Sequence, residues 1–350
     1  MSGFSRKEQI LLLEAGLEEK EDESFKKFKI WADSQDFSKE FSHTEYRLVP
    51  FLWFRHRSVF KEHPIYDRFQ GVYKRTLFHN SRLLKSGIDI SQLLENASIS
   101  HAFVKGLNFM LKVYPSWGTR PMNDMDLLVY EKDLVKASQV LERAGYVPKK
   151  PLKVVKLLNK NSIGFVSKEG IGVDLHIRPI AFPVSGFDGN YFLADKEVVE
   201  TQLGGIPVMN IRKAVEFTIL NGLLETDGHW LLDIHLADSK SRFVSDFLMK
   251  LRSSEQLQAM VAYRLKLFQK KDKITRGAEE LPKAYIALLS NRMKDNPDKF
   301  RLLNFYWFMA MKRGRFSNPY LNFMYYLGYI SYTLIWIVER VVGKRLYTEK

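Results

Sequence analysis

The sequence of 350 residues contains no cysteine. This absence excludes disulfide cross-links, thiolate zinc sites, iron–sulfur clusters and a cysteine nucleophile. There is no glycine-rich Walker loop and no Gly-x-Ser-x-Gly turn, so P-loop ATPases and hydrolases with that nucleophile elbow find no support. Zinc-finger spacing and RNA-binding aromatic motifs are also absent, and we do not expect a nucleic-acid partner.

The charge is distributed unevenly along the chain. There are 54 lysines and arginines against 40 acidic residues, giving a net charge of +14. Residues 251–350 alone hold 19 of the basic and 8 of the acidic residues. A basic segment of this kind suits an anionic membrane surface or an anionic acceptor. Residues 1–20 mix charges with leucines, which is typical of an amphipathic helix rather than a secretion signal, so we expect a cytoplasmic protein.

Residues 316–338 form a segment of 23 residues without charge, rich in tyrosine and flanked by Arg315 and Arg340. Its length is sufficient to cross a bilayer, where roughly 20 apolar residues are needed. Asn318, Asn322 and several hydroxyl side chains interrupt it, and tyrosine favours the membrane interface. Three alternatives stay open: an anchor in the inner membrane, a helix on the membrane surface, and a helix buried in its own bundle.

Hydrophobic periodicity divides the chain into three regions. Residues 1–96 show helical spacing, with Pro50 and Pro64 expected to interrupt it. Residues 97–209 alternate short strand patterns with single helices, and residues 210–350 return to helical spacing. We therefore predict an α+β protein in which a small mixed sheet is flanked by N-terminal helices and a C-terminal helical bundle.

Three aspartates on predicted strands carry the clearest chemical signal. Asp124 and Asp126 are two residues apart, so strand alternation places both carboxylates on one face. Asp174 lies in a second strand, which follows a turn at 168–170, and we expect an antiparallel neighbour to bring it beside the other two. Like charges at close range repel each other unless a cation lies between them. Three converging carboxylates are what two-metal phosphoryl transfer requires.

Further motifs surround these aspartates: Lys105-Gly106, Arg120 before Asp124-Met-Asp126, Gly145-Tyr146 and Val173-Asp174-Leu175-His176. Together they resemble the polymerase-β-type nucleotidyltransferases, and more narrowly an uncharacterised bacterial nucleotidyltransferase family often found in surface-polysaccharide and peptide-modification gene neighbourhoods. The resemblance covers roughly residues 99–178, with a looser helical match at Trp230 and Asp233. Two positions depart from the superfamily pattern. Leu107 stands where serine is usual, and Asn123 stands where glycine is common.

The resemblance implies a role for each of these residues. Asp124 and Asp126 would bind two Mg²⁺ ions, with Mn²⁺ as a substitute, and Asp174 would bind the catalytic ion and help deprotonate the acceptor. Lys105, Gly106 and Arg120 would contact the nucleotide phosphates. His176 and Asp233 would orient the acceptor or the metal-binding carboxylates.

The implied reaction moves a nucleoside monophosphate from an NTP to a hydroxyl of a sugar, glycan, peptide or protein, and releases pyrophosphate. Leu107 motivates an alternative, in which the chain is a catalytically degenerate nucleotide-binding or scaffolding module of a polysaccharide or peptide-modification pathway. Residues 316–338 would add a membrane contact to either function.

Overall fold

The computed structural model describes residues 7–36, 40–150, 152, 161–179, 186–222, 229–238 and 243–250. The predicted helices beyond residue 250 and the segment 316–338 lie outside these residues. Within the described part, none of the helices combines the length and apolarity needed to cross a membrane. The predicted boundaries at residues 96 and 209 stay predictions.

Four helices precede the sheet, where helical periodicity predicts them: α1 (Lys7–Leu17), α2 (Glu21–Asp33), α3 (His43–His56) and α4 (Tyr66–Asn96). A capping box starts α3, in which the Glu45 amide donates to the Ser42 hydroxyl and the Ser42 amide donates to the Glu45 carboxylate. The prediction that Pro50 interrupts the chain was wrong, because Pro50 lies inside α3. Its neighbours Leu48 and Leu52 are fully buried, and this packing outweighs the local cost of a proline.

Seven strands form one mixed sheet in the order β3-β4-β5-β2-β1-β7-β6. Pairs β2–β5 and β1–β7 are parallel, and the other pairs are antiparallel. The strands are β1 (His101–Val104), β2 (Asp124–Val129), β3 (Val147–Pro148), β4 (Ser162–Val166), β5 (Gly172–His176), β6 (Glu197–Thr201) and β7 (Gly204–Val208). The remaining helices are α5 (Lys105–Lys112), α6 (Leu134–Arg143), α7 (Gly189–Leu193), α8 (Ile211–Gly222), α9 (Trp230–Asp238) and α10 (Phe243–Lys250). The predicted α+β class with a mixed sheet is confirmed.

The hairpin predicted around 168–170 is present as β4 and β5, with Gly170 at φ +79° in the turn. The expected antiparallel neighbour of β2 was wrong, since β5 lies beside β2 in parallel. The hairpin pairs with β2 through its second strand, β5, and not through its first strand, β4. Because β4 and β5 are antiparallel, this choice makes the strand beside β2 parallel to it. The helix α6 between β2 and the hairpin provides the crossover that a parallel pair needs.

Helices cover the sheet on both faces. One face packs against α4 and α6 in a cluster that includes Met125, Leu127 and Val173. The other face packs through Leu128 and Val104 into a cluster formed by α1–α3, α8 and α9. The three aspartates lie on this second face, at the part of the strands where the helices leave an open cavity.

Candidate active site

Strand register brings the three predicted aspartates together. Asp126 on β2 is directly paired with Asp174 on β5, and paired residues of parallel neighbours share a face. Asp124 precedes Asp126 by two residues, so it lies on the same face, in register with Gly172. The two strands therefore form the carboxylate cluster of Asp124, Asp126 and Asp174.

Glycines on the adjacent strands leave the room that these side chains occupy. A Cβ at Gly172 would lie 2.9 Å from the Asp124 Cβ, and a Cβ at Gly164 would lie 2.9 Å from the Asp174 Oδ1. Because real Cβ contacts are not that short, any larger residue at either position would displace a carboxylate. The glycines at 164 and 172 thus shape the cluster through close approach of neighbouring strands.

The cluster carries excess negative charge, which shows in the pKa of Asp124. Burial, together with the charges of Asp126 and Asp174, raises that pKa from 3.8 to about 6, against the opposing effect of Lys105 and Lys149. Within the described residues, no hydrogen bond or ion pair joins Asp124 or Asp174 to another group. Two of the three carboxylates are thus left without a direct cationic partner.

Asp126 differs from the other two because Lys105 and His176 contact it. Lys105 Nζ is 2.7 Å, and His176 Nε2 is 2.9 Å, from the same oxygen, Asp126 Oδ1. Burial acts to raise the Asp126 pKa, but the Lys105 charge and the His176 hydrogen bond outweigh it and hold that pKa well below its usual range. A carboxylate acceptor requires His176 to carry its proton on Nε2. His176 is therefore hydrogen-bonded to Asp126, and its predicted role in orienting a metal-binding carboxylate stays a prediction.

The turn from β1 into α5 holds Lys105 and Gly106 at the edge of the cluster. Lys105 adopts φ +48°, a conformation that non-glycine residues rarely take and that concentrates at functional sites. At Gly106 an added Cβ would lie 2.7 Å from Met122 Sδ and 2.8 Å from an Arg120 terminal nitrogen. Gly106 is thus required by the packing of these two side chains. Leu107 is fully buried in the apolar core and offers nothing to a phosphate.

Arg120 and Asp233, both predicted site residues, form a buried ion pair behind the cluster. Arg120 donates from Nε to Asp233 Oδ1 at 2.9 Å and from Nη2 to Oδ2 at 2.7 Å, and the Tyr114 hydroxyl donates to Oδ1 at 2.8 Å. Burial acts to lower the Arg120 pKa, but the Asp233 charge raises it overall. Asp233 on α9 thereby balances most of the charge of Arg120, which lies in the loop before β2.

A cavity of about 230 Å³ opens over the carboxylates. Its floor comes from β2, β5 and the start of α5, and its walls from α3, α8 and α9. The lining includes every predicted site residue except His176, together with Met122, His229 and Trp230, and it adds residues that the sequence did not single out: His43, Arg47, Thr218 and Asn221. Lys149, near Asp124 and Asp174, was missed as well. These residues follow no motif, and only the fold brings them to the site.

The carboxylate cluster fits divalent cations. Asp126, Asp174 and His176 offer ligand atoms within 4.8 Å of one another. Lys105 and His176 both contact Oδ1 of Asp126. The other oxygen of Asp126, Oδ2, has no hydrogen bond within the described residues. Because His176 Nε2 already contacts Asp126, the oxygens of Asp126 and Asp174 are the atoms of this group that stay open to a divalent cation, and carboxylate oxygens suit hard cations.

Three solved structures show limited similarity to this chain. The lincosamide antibiotic adenylyltransferase LnuA, with lincomycin bound, is 18% identical over 43% of this chain and 94% of its own, with a TM-score of 0.32. The antibiotic-resistance factor ANT(2'')-Ia is 11% identical over 51% and 90%, with a TM-score of 0.33. A nucleotidyltransferase-like antigen from Paracoccidioides brasiliensis is 13% identical over 52% and 93%, also at 0.33. No curated protein matches the sequence.

A family profile described as uncharacterised nucleotidyltransferase matches residues 44–271, which is well over half of the chain. The matched range includes α3, both carboxylate strands and α9. It therefore spans all three walls of the cavity as well as its floor. The chain belongs to this nucleotidyltransferase family.

Proposed function

We propose that this nucleotidyltransferase transfers a nucleoside monophosphate from an NTP to a hydroxyl acceptor and depends on Mg²⁺. The observation that carries the proposal is the carboxylate cluster itself. Asp126 and Asp174 are in register on parallel strands, and Asp124 shares their face at the floor of an open cavity. Structural packing alone gives no reason to collect three like charges there.

The reaction exchanges one phosphorus–oxygen bond for another. The acceptor oxygen attacks the α-phosphorus, the bond from that phosphorus to the β-phosphate oxygen breaks, and pyrophosphate leaves with the electron pair. The hydroxyl proton passes to Asp174, whose carboxylate has no hydrogen bond within the described residues. Lys105 is near enough to the cluster to balance charge on the leaving group.

Asp124, Asp126 and Asp174 would hold the Mg²⁺ ions, which supply charge neutralisation for the triphosphate and activate the acceptor hydroxyl. His176 fixes the rotamer of Asp126 through its hydrogen bond, so that one oxygen stays turned away from Lys105. The buried pair of Arg120 and Asp233 holds the loop before β2 against α9 and thereby supports the entry to β2.

The wall formed by α8 and α9 suits a neutral hydroxylated acceptor. Thr218, Asn221 and Trp230 line the cavity on this side without charge, and the charge of Asp233 on the same wall is balanced by Arg120. The buried Thr218 hydroxyl has no hydrogen-bond partner within the described residues. A sugar, glycan, peptide or protein hydroxyl would find hydrogen-bonding groups and an aromatic surface there.

Pyrophosphate release tests the reaction directly. The full chain is incubated with Mg²⁺, each of the four NTPs and pooled glycan and peptide acceptors, with Asp124→Ala/Asp126→Ala as the inactive reference. We expect release that needs both Mg²⁺ and an acceptor and is absent from the double variant. Release that persists in that variant contradicts the proposal. Tight NTP binding without release over a broad acceptor screen would favour the nucleotide-binding or scaffolding alternative.

The place of action is a separate part of the proposal. The uncharged segment 316–338 and the basic residues around it support contact with an anionic membrane surface. Flotation of the full chain with vesicles containing anionic lipid, compared with a chain ending at Arg315, tests this contact. Equal recovery of both proteins in the lipid-free fraction, with the shorter chain folded, contradicts it.

A further inference from the structure

Arg47 reaches the cavity from α3, in the N-terminal helices. Its terminal nitrogen Nη1 donates to the carbonyl of Pro121 at 2.6 Å, in the loop that leads into β2. It lines the same cavity as Asp124, Asp126 and Asp174. Arg47 precedes the carboxylate motifs in the sequence, yet it forms part of the wall of the same cavity.

The three cations that line the cavity differ in how their charges are balanced. Lys105 contacts Asp126, and Arg120 makes two hydrogen bonds with Asp233. Arg47 has no carboxylate within ion-pair distance among the described residues, and its one hydrogen bond goes to a neutral carbonyl. Its Nε is buried without a hydrogen-bond partner in the same residues. Among the described residues that line the cavity, Arg47 is therefore the cation without a carboxylate in ion-pair contact.

Arg47 is half-buried, with its Nε fully buried, and partial burial makes an unpaired charge costly. Burial, reinforced by the Arg120 charge, lowers the Arg47 pKa, and the charges of Asp124, Asp233 and Asp126 only partly offset this. A guanidinium nevertheless stays protonated in proteins. Such a group is retained where an anionic ligand supplies the missing negative charge.

We propose that Arg47 binds the polyphosphate chain of the NTP, so that α3 is part of the nucleotide site. This inference rests on the proposed function and deepens it. The planar guanidinium matches the geometry of phosphate oxygens, whereas Arg120, held by Asp233, supports the loop from behind. Arg47 also provides a phosphate contact that Leu107, buried in the core, does not make.

Binding of inorganic tripolyphosphate, measured by calorimetry on the full chain with Mg²⁺ present, tests this role. The variants are Arg47→Met, Arg47→Lys and, as a matched control, Arg57→Met, which removes the same charge from an exposed position at the end of α3. We expect Arg47→Met to weaken tripolyphosphate binding and raise the KM for NTP by roughly tenfold or more, because a charge-assisted contact is lost. Arg47→Lys should lie in between, and Arg57→Met should match the unaltered protein.

A purely structural role for Arg47 would lower the unfolding temperature and leave the tripolyphosphate affinity of the folded protein unchanged, and that result overturns the inference. Failure of the unaltered protein to bind tripolyphosphate overturns it as well. The proposed function fails differently. A protein that binds tripolyphosphate through Arg47 but releases no pyrophosphate from any NTP keeps this inference and loses the transferase proposal. Normal turnover and KM in Arg47→Met keep the transferase proposal and overturn this inference.

Discussion

The two faces of strand β2 present opposite chemistry over the same six residues. Asp124 and Asp126 point to the cavity, where burial and neighbouring carboxylates raise the Asp124 pKa. Met125 and Leu127 point the other way and are fully buried against α4 and α6. The cavity face therefore carries carboxylates that repel each other and that we assign to the reaction. The opposite face supplies the apolar packing that stabilises the strand. The variants below separate these two contributions.

The largest effect is expected on activity, from the carboxylate face. Asp126→Asn should reduce pyrophosphate release by on the order of ten-thousandfold, because a metal ligand and its charge are lost. The free energy of unfolding should fall as well, because Lys105 and His176 lose their ionised partner, and relief of repulsion with Asp124 offsets part of that loss. Turnover and Mn²⁺ binding are the measurements. Asp89→Asn, in an exposed pair with Lys85, is the control and should behave like the unaltered protein.

Breaking the buried pair of Arg120 and Asp233 at the cavity wall should cost stability. Asp233→Asn leaves the Arg120 guanidinium without a counter-charge, and we expect unfolding free energy to fall by about 3–5 kcal/mol. Arg120→Met/Asp233→Asn should recover much of that loss while the Tyr114 hydroxyl keeps an acceptor. The free energy of unfolding of both variants is measured by urea denaturation. A loss under about 1 kcal/mol in the single variant would show that the pair does not hold the loop.

On the apolar face, Leu127→Ala should reduce stability by about 2–5 kcal/mol through the cavity it leaves. The KM for NTP should stay unchanged at a temperature where the variant is folded, because Leu127 points away from the site. Thermal unfolding and steady-state kinetics are measured together. A raised KM with unchanged stability would show that the two faces are not separable.

A smaller effect is expected at Gly172. An added Cβ would press on the Asp124 Cβ, so Gly172→Ala should reduce turnover and cost about 1–3 kcal/mol of stability. The matched control is Gly71→Ala in α4, where a Cβ meets nothing within 4 Å. That variant should gain about 0.5–1 kcal/mol, as expected for alanine inside a helix. Equal behaviour of the two variants would contradict the close approach at Gly172.

The smallest effect concerns His101, buried on the apolar side of the sheet against α4. Burial lowers its pKa below 6.5, and its ring contacts Ser91 Oγ and the Ile99 carbonyl. Between the lowered pKa and 6.5 the unfolded chain binds more protons than the folded one, so stability falls as pH falls below 6.5. The contribution is at most about 1.4 kcal/mol per pH unit. Unfolding of His101→Gln from pH 7.5 to 5 should show a shallower slope; an identical slope contradicts the assignment.

Predictions from sequence succeeded where the pattern is local. The alternation in β2 and the hairpin turn at Gly170 each follow from residues within a few positions of one another. Local patterns gave the wrong prediction at Pro50, which was expected to interrupt a helix, and for β5, which was expected to run antiparallel to β2. In both cases the outcome depended on packing between distant segments, which a local pattern does not contain.

The site shows the same division. Asp124 and Asp126 were predictable as neighbours because backbone geometry alone gives a strand its period of two. The pairing of Asp126 with Asp174, the partners of Arg120 and the presence of Arg47 were decided only by tertiary structure. These contacts join residues 74 apart for Arg47 with Pro121 and 113 apart for Arg120 with Asp233. Sequence thus determined which face of β2 carries the carboxylates, and the packing of helices around the sheet decided which cations meet them.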